Sequence, residues 1–330
     1  MTAAPVTLFA EDLQSLAAAL PSGQRYPALE SILARGRRVH MRGNSPNHVR
    51  YELFDADLVG QPAVAALCRL ADQGNASEES VYWLRADPVT LRADMSRVFM
   101  LSCGFADMEH PEREELTRIV RDALLHEGLE LVESSSGHWL ISLPASPGFD
   151  FTGLQEALGR DMADVLPETS EATVWKKRMT DIQVELHQSE LMQKRRETGR
   201  QEINSVWFWG GGSLPRVDQK VFASVISRDP VSTGLALLAG SSVAAHGKLA
   251  EANEPVLLDW LMTSADAVRE AEQLDQGAAE LLQSAAVQKY GLLLVAGNGQ
   301  AWQYRVRDRL KLWRRPVPMS RHFEPENSHA

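Results

Sequence analysis

Cysteine is scarce in this chain: Cys68 and Cys103 are the only two among 330 residues. Two thiols build neither a disulfide framework nor a zinc cluster, and they point to a reducing cytoplasm. No apolar run reaches the roughly 18–20 residues of a membrane-spanning helix. The N-terminus lacks the basic segment and apolar core of a signal peptide. Positive charge is also short, with 34 Lys and Arg against 44 Asp and Glu and a formal net charge of -10. That balance argues against nonspecific binding to nucleic acid or to anionic membrane. Basic residues gather only at Arg35 to Arg42, Lys194 to Arg200 and Arg305 to Arg315, which read as solvated faces. No helix-turn-helix with a basic second helix is visible. Histidine is missing between Gly247 and Arg321. His40, His48, His110, His126, His138, His187 and His246 are scattered, without the close spacings of a metal site.

What is there suits a soluble globular protein, 44% apolar and 24% charged. The length allows two domains, or one domain with a large insertion. Helical spacing is expected over Glu11 to Leu20, over 27–36, and over 51–73, with a loop from Gly36 to Asn47. Strand patterns follow at Val81 to Leu84, Val89 to Leu91 and Val98 to Leu101. A helix is expected over Pro111 to Glu127, and a hairpin joins Leu129–Val132 to Trp139–Leu143. From 203 onward, strands and helices alternate as in a layered sheet. The division expected is a helical part of an α/β core at 1–79, and an α+β module with a charged helical connection at 80–202. The C-terminal α/β core would occupy 203–315 and a loose tail 316–330.

Residues 203–215 carry the most distinctive pattern, with Trp207 and Trp209 alternating on a strand that runs into Gly210, Gly211 and Gly212. Alternation puts both indoles on one strand face. Glycines at a strand end can bring bare N–H groups close to an anion, although a buried strand with a tight exit has the same pattern. Asp229 before Pro230 reads as a helix cap. Arg85 and Asp87 read as a pair across a turn.

Four segments together resemble one family. They are Arg85-Ala-Asp-Pro-Val-Thr-Leu91, Arg195-x-x-x-Gly199 leading to Asn204-Ser-x-Trp-x-Trp-Gly-x-Gly212, Asp229-Pro-Val-Ser-Thr-Gly234, and Leu312-Trp-Arg-Arg315. Their order over roughly 25–315 is similar to the RpfE-type bacterial regulatory proteins, which resemble in turn the archaeal-type cofactor-independent phosphoglycerate mutases of the alkaline-phosphatase superfamily. The resemblance implies a degenerate alkaline-phosphatase-like layered sheet with an inserted small α+β module. In such mutases a phosphoserine works on two metals held by Asp and His, because divalent ions take oxygen and imidazole donors.

This chain departs from that pattern. Val6 to Phe9 leads to Ala10 and then to Glu11-Asp12 inside an expected helix, not to an Asp pair. Cys68 stands where the nucleophilic serine belongs, with no basic partner evident in sequence, and reads as a small buried hydrophobe. Suitably placed metal donors are too few, so neither metal nor cofactor is expected. The expectation is a cytoplasmic pseudoenzyme with a regulatory or ligand-sensing role, taking a small phosphorylated or acidic ligand at Asn204, Trp207, Gly210 to Gly212, Arg195 and Asp229. An active phosphoglycerate mutase or related phosphotransferase is one alternative. A structural protein that binds a protein partner through a Trp-rich surface is the other.

Overall fold

The computed structural model describes residues 4–74, 81–95, 97–105, 107–245 and 253–323. The chain forms two compact units, one of 1–57 with 216–330, the other of 58–215. Elements are numbered in chain order.

The first unit is built on a seven-stranded sheet. Its parallel strands are β1 (Val6–Ala10), β8 (Ser224–Ile226), β9 (Ser242–Ala244), β10 (Val256–Trp260) and β11 (Leu292–Ala296). β12 (Gln300–Tyr304) and β2 (Arg37–His40) add an antiparallel edge, in the order β2-β12-β11-β1-β10-β8-β9. β1 lies between β10 and β11 and is buried throughout, Thr7 included, as in a strand covered on both faces. Val6, Leu8 and Ala10 face a core shared with α1 (Leu13–Ala19), α2 (Pro27–Arg35), α11 (Ala267–Gln283) and α12 (Ala285–Tyr290). Phe9 points to the other face, since strand side chains alternate. There α3 (Pro46–Leu53) lays Arg50 over the Phe9 ring, 4.9 Å from its centroid, and packs against α10 (Pro230–Leu238).

The second unit holds an antiparallel sheet around the long strand β3 (Tyr82–Asp94). β3 pairs with β4 (Arg97–Cys103), β6 (Trp139–Leu143) and β7 (Ser205–Gly212), and β6 pairs with β5 (Leu131–Glu133). Its helices are α4 (Val64–Gln73), α5 (His110–His126), α6 (Leu154–Ala157), α7 (Met162–Val165), α8 (Ser170–Gln188) and α9 (Glu190–Glu197). One core gathers the inward faces of β3, β6 and β7 with those of α5 and α8. A capping box between Glu109 and Glu112 starts α5, next to Pro111.

Several sequence expectations are corrected. Residues 203–215 do not open the C-terminal sheet; β7 pairs with β3, so the breaks between units fall near 57 and 215 rather than at 79 and 202. The N-terminus contributes a central strand as well as helices, because five buried residues, four of them apolar, are enough to cross a parallel sheet. Arg37 to His40, expected in a loop, are the edge strand β2, where charge is tolerated because one side faces solvent. The helix over 51–73 is interrupted between Leu53 and Val64. In the expected tail, Met319 is buried and Phe323 packs edge-on against Trp302. Among the described residues, no helix is long and apolar enough to cross a membrane.

Candidate functional site

Parallel strands end in a common row, and the residues just past their carboxyl ends are the natural place for chemistry in such a sheet. Here β1 ends at Ala10 and delivers Glu11. β8 ends at Ile226 and delivers Ser227 and Asp229, while β10 carries Asp259 as its fourth residue. These side chains meet Arg50 of α3. Its Nη2 donates to Glu11 Oε2 at 2.8 Å and to Asp259 Oδ1 at 3.4 Å. Its Nε donates to Asp259 Oδ2 at 3.3 Å and Ser232 Oγ at 3.2 Å, and lies 3.3 Å from Asp229 Oδ1. Nη1 donates to Asn47 Oδ1 at 3.3 Å. Arg50 is thus fully buried and saturated with acceptors.

One positive charge faces three carboxylates. Burial alone would lower the pKa of Arg50, but Asp259, Asp229 and Glu11 outweigh it and the net shift is upward, so the guanidinium stays charged. Burial pushes the Asp259 carboxyl up and the nearby Asp229 adds to this, while Arg50 and Ser232 oppose it. Ser227 Oγ donates to Asp259 Oδ2 at 3.1 Å and accepts from Asp229 N at 2.9 Å. Asp229 caps α10 by accepting from Ser232 N at 2.9 Å, ahead of Pro230. The expected cap is therefore present, and the same carboxylate also reaches Arg50.

The scarcity of oxygen donors expected from the sequence is corrected here, because three acidic side chains do gather. They ring a guanidinium, however. Among the described residues no three His, Cys, Asp or Glu side chains stand where one ion could be held. No histidine takes part, and Arg50, Ser227 and the start of α10 already engage the carboxylate oxygens. The donor set does not fit a bimetallic centre of Asp and His.

Beside this cluster a cleft of about 300 Å³ opens past β8 and β10. Ser227, Arg228, Asp259, Trp260, Thr263 and Gln273 line it, among others. The Trp260 indole N–H is buried without a hydrogen-bond partner. The lining therefore combines the Arg228 cation, hydroxyls and an amide with the Asp259 carboxylate, which Arg50 and Ser227 already engage.

The other predicted site residues lie in the second unit and are structural. Arg195 is buried and ties α9 to the start of α5. It bonds Asp107, lies 3.3 Å from Glu112 Oε2 and donates to Gln201 O at 2.8 Å. Hydrogen bonds from Arg195 and then Arg200 hold the Asp107 carboxyl at about 2. Asn204 extends the sheet with its side chain: Nδ2 donates to Leu91 O and Oδ1 accepts from Leu91 N, both at 2.8 Å. Trp207 is fully buried, its indole donating to Thr152 O at 3.0 Å, which removes it from any partner-binding surface. Gly210, at φ +62°, passes Val64 of α4 so closely that an added Cβ would lie 2.9 Å from the Val64 Cβ. At Gly212 an added Cβ would come within 2.5 Å of Ala63 Cβ. At Gly211 it would meet the Tyr82 hydroxyl. The glycine run lets a helix and a tyrosine lie against β7.

Cys68 is buried in α4, and its thiol is within hydrogen-bonding reach of Arg85. The expectation that it lacks a basic partner is corrected. Arg85 also forks onto Asp87 at 2.6 and 3.1 Å, donates to His138 Nδ1 at 2.9 Å and stacks over Trp209 at 4.8 Å. Burial first, then the Arg85 charge, depress His138 to about 4, so it is neutral near pH 7. Cys68 is inaccessible to solvent. His246 lies outside the described residues.

Sequence reasoning missed Arg50, Glu11 and Asp259. The available signal was Asp259, a carboxylate inside the apolar run Val256-Leu-Leu-Asp-Trp260. A charge in such a strand requires a buried partner.

No protein-family model matches the chain, and no curated protein matches it. Among solved structures it is similar to the cofactor-independent phosphoglycerate mutase of Thermoplasma acidophilum, with 15% identity, 92% of this chain and 90% of that chain covered, and a TM-score of 0.41. It is also similar to the PH0037 protein of Pyrococcus horikoshii, with 13% identity, 94% and 93% covered, and a TM-score of 0.49.

Proposed function

We propose that this chain is a non-catalytic, mutase-like cytoplasmic protein that senses a small phosphorylated or acidic ligand. The observation that carries the reading is Arg50 in the midst of Glu11, Asp229 and Asp259. A divalent metal in such a ring would bind substrate oxygens and lower a nucleophile's pKa. A guanidinium neutralises the same carboxylates but has no open coordination position, and it cannot give up its proton near neutral pH. Ser227 donates its hydroxyl to Asp259. A carboxylate at that place would have to accept the proton needed for activation, and the ion pair and hydrogen bonds from Arg50 oppose protonation of Asp259. The cleft next to the cluster supplies Arg228 and neutral donors beside an Asp259 already answered by Arg50, which suits recognition without turnover.

The test has two arms. The full-length chain is incubated with 3-phosphoglycerate and manganese, and phosphorus NMR follows the formation of 2-phosphoglycerate. No conversion is expected. Calorimetric titration with 3-phosphoglycerate is expected to show binding that weakens in Arg228→Ala. Conversion that disappears in Ser227→Ala, Asp259→Asn or Cys68→Ala would overturn the reading.

A further inference from the structure

Two basic runs that are far apart in sequence meet in the first unit. Arg37 and Arg38 sit on β2, and Lys311 and Arg314 follow the short 3-10 turn Val306–Leu310. With His322 and Trp302 they line a pocket of about 500 Å³, and among the described residues no carboxylate belongs to its lining. Some of these cations hold the walls. Lys311 pairs with Asp308 at 2.8 Å and donates to Arg35 O at 3.1 Å. Arg314 donates to Gly36 O at 3.3 Å, and Arg37 to Gln303 Oε1 at 2.8 Å. Each keeps further N–H groups to offer, since a guanidinium has five and an ammonium three. The Arg38 side chain makes no ion pair or hydrogen bond among the described residues.

His322 adds a second, independent sign. Its Nε2 is buried and has no hydrogen-bond partner among the described residues. An imidazole nitrogen left unmatched in this way costs free energy unless a ligand or water meets it. Guanidinium forks and an ammonium converging on one concavity match phosphate oxygens in geometry and charge. With Lys311 already answered by Asp308, the three guanidiniums of Arg37, Arg38 and Arg314 still exceed what one phosphate dianion neutralises. We propose that this pocket binds a small anion bearing two or more phosphate groups. The inference does not depend on the Arg50 cluster or on the reading given for it.

The experiment uses the full chain and inorganic pyrophosphate as probe, by calorimetry at low and at raised salt. Saturable binding is expected, tighter than for orthophosphate and weaker as salt rises. Arg38→Glu is expected to lower the affinity by about tenfold or more, the loss of a charge-assisted contact. Because burial and the nearby Arg38 hold the His322 pKa below its ordinary value, with Glu30 opposing, a bound polyanion should raise it. NMR of the His322 ring protons reads this directly. Circular dichroism checks that the variant folds, and Arg38→Gln replaces it if it does not, with a loss in the same direction. Absence of binding at low salt would overturn the proposal. So would affinity untouched by either substitution, or a His322 titration unmoved by saturating pyrophosphate.

Discussion

Arg50 and Arg195 are both fully buried, and both are bound to more than one acid, yet they do different work. The acids around Arg195 keep contact with water: Asp107 is 56% exposed and Glu112 21%. Solvent carries much of their charge, and Arg195 serves as a tie between two helices. Around Arg50, Glu11 is 24% exposed, but Asp259 is 0% exposed and Asp229 15%. Besides Arg50 they meet neutral donors, the Ser227 hydroxyl and the first turn of α10. The two sites share a residue type and burial but differ in the dielectric of the partners, and only the strand-end site depends on its cation for neutrality.

Removing each cation is the strongest way to break that comparison. Arg50→Met should cost about 3–5 kcal/mol, the usual effect of stranding buried charge. Chemical denaturation measures it. If Arg50 stands in for a metal electrostatically, Arg50→Ala should gain thermal stability from added manganese while the parent chain does not. Equal response of both proteins would refute that substitution. Arg195→Met should cost less, about 2 kcal/mol, because water can solvate Asp107 and Glu112 once the guanidinium is gone. A loss at Arg195 matching that at Arg50 would erase the distinction.

Acid titration sharpens the comparison within the second unit. His138 has a folded pKa of about 4 against an ordinary value of 6.5, so the unfolded chain binds the proton more readily. Its contribution is complete above about pH 6.5 and is lost as pH falls toward 4, by roughly 2 kcal/mol. His138→Gln should flatten that stretch of the stability profile, followed by denaturation at several pH values. The smallest effect expected is at Asn204, where Ala leaves the Leu91 N–H and C=O without their side-chain partner and costs about 1 kcal/mol.

Parts of this molecule were legible from local chemistry. Pro111 with its acidic first turn marked α5, the Ser/Gly turn marked the β5–β6 hairpin, and Asp229-Pro230 marked the start of α10. These features are written in neighbouring residues. The assignment of β7 was not, since its partner β3 lies more than a hundred residues earlier and apolar alternation does not name a partner. Arg50 was hidden for a related reason. An arginine in a short helix is normally solvated, and only the convergence of Glu11, Asp229 and Asp259 gives it a buried role. The glycine run was read as a place where bare N–H groups come close to an anion, or as the tight exit of a buried strand. What approaches is α4, a neighbour in the folded chain.

β2 is the outermost strand of its sheet, so one row of its backbone donors and acceptors has no ladder to join. Arg37, Arg38 and His40 are exposed along it, and such charge discourages another copy from adding its own strand there. Reversing the sign at Arg38 keeps this guard against self-stacking, whereas an aliphatic replacement would remove it and invite aggregation.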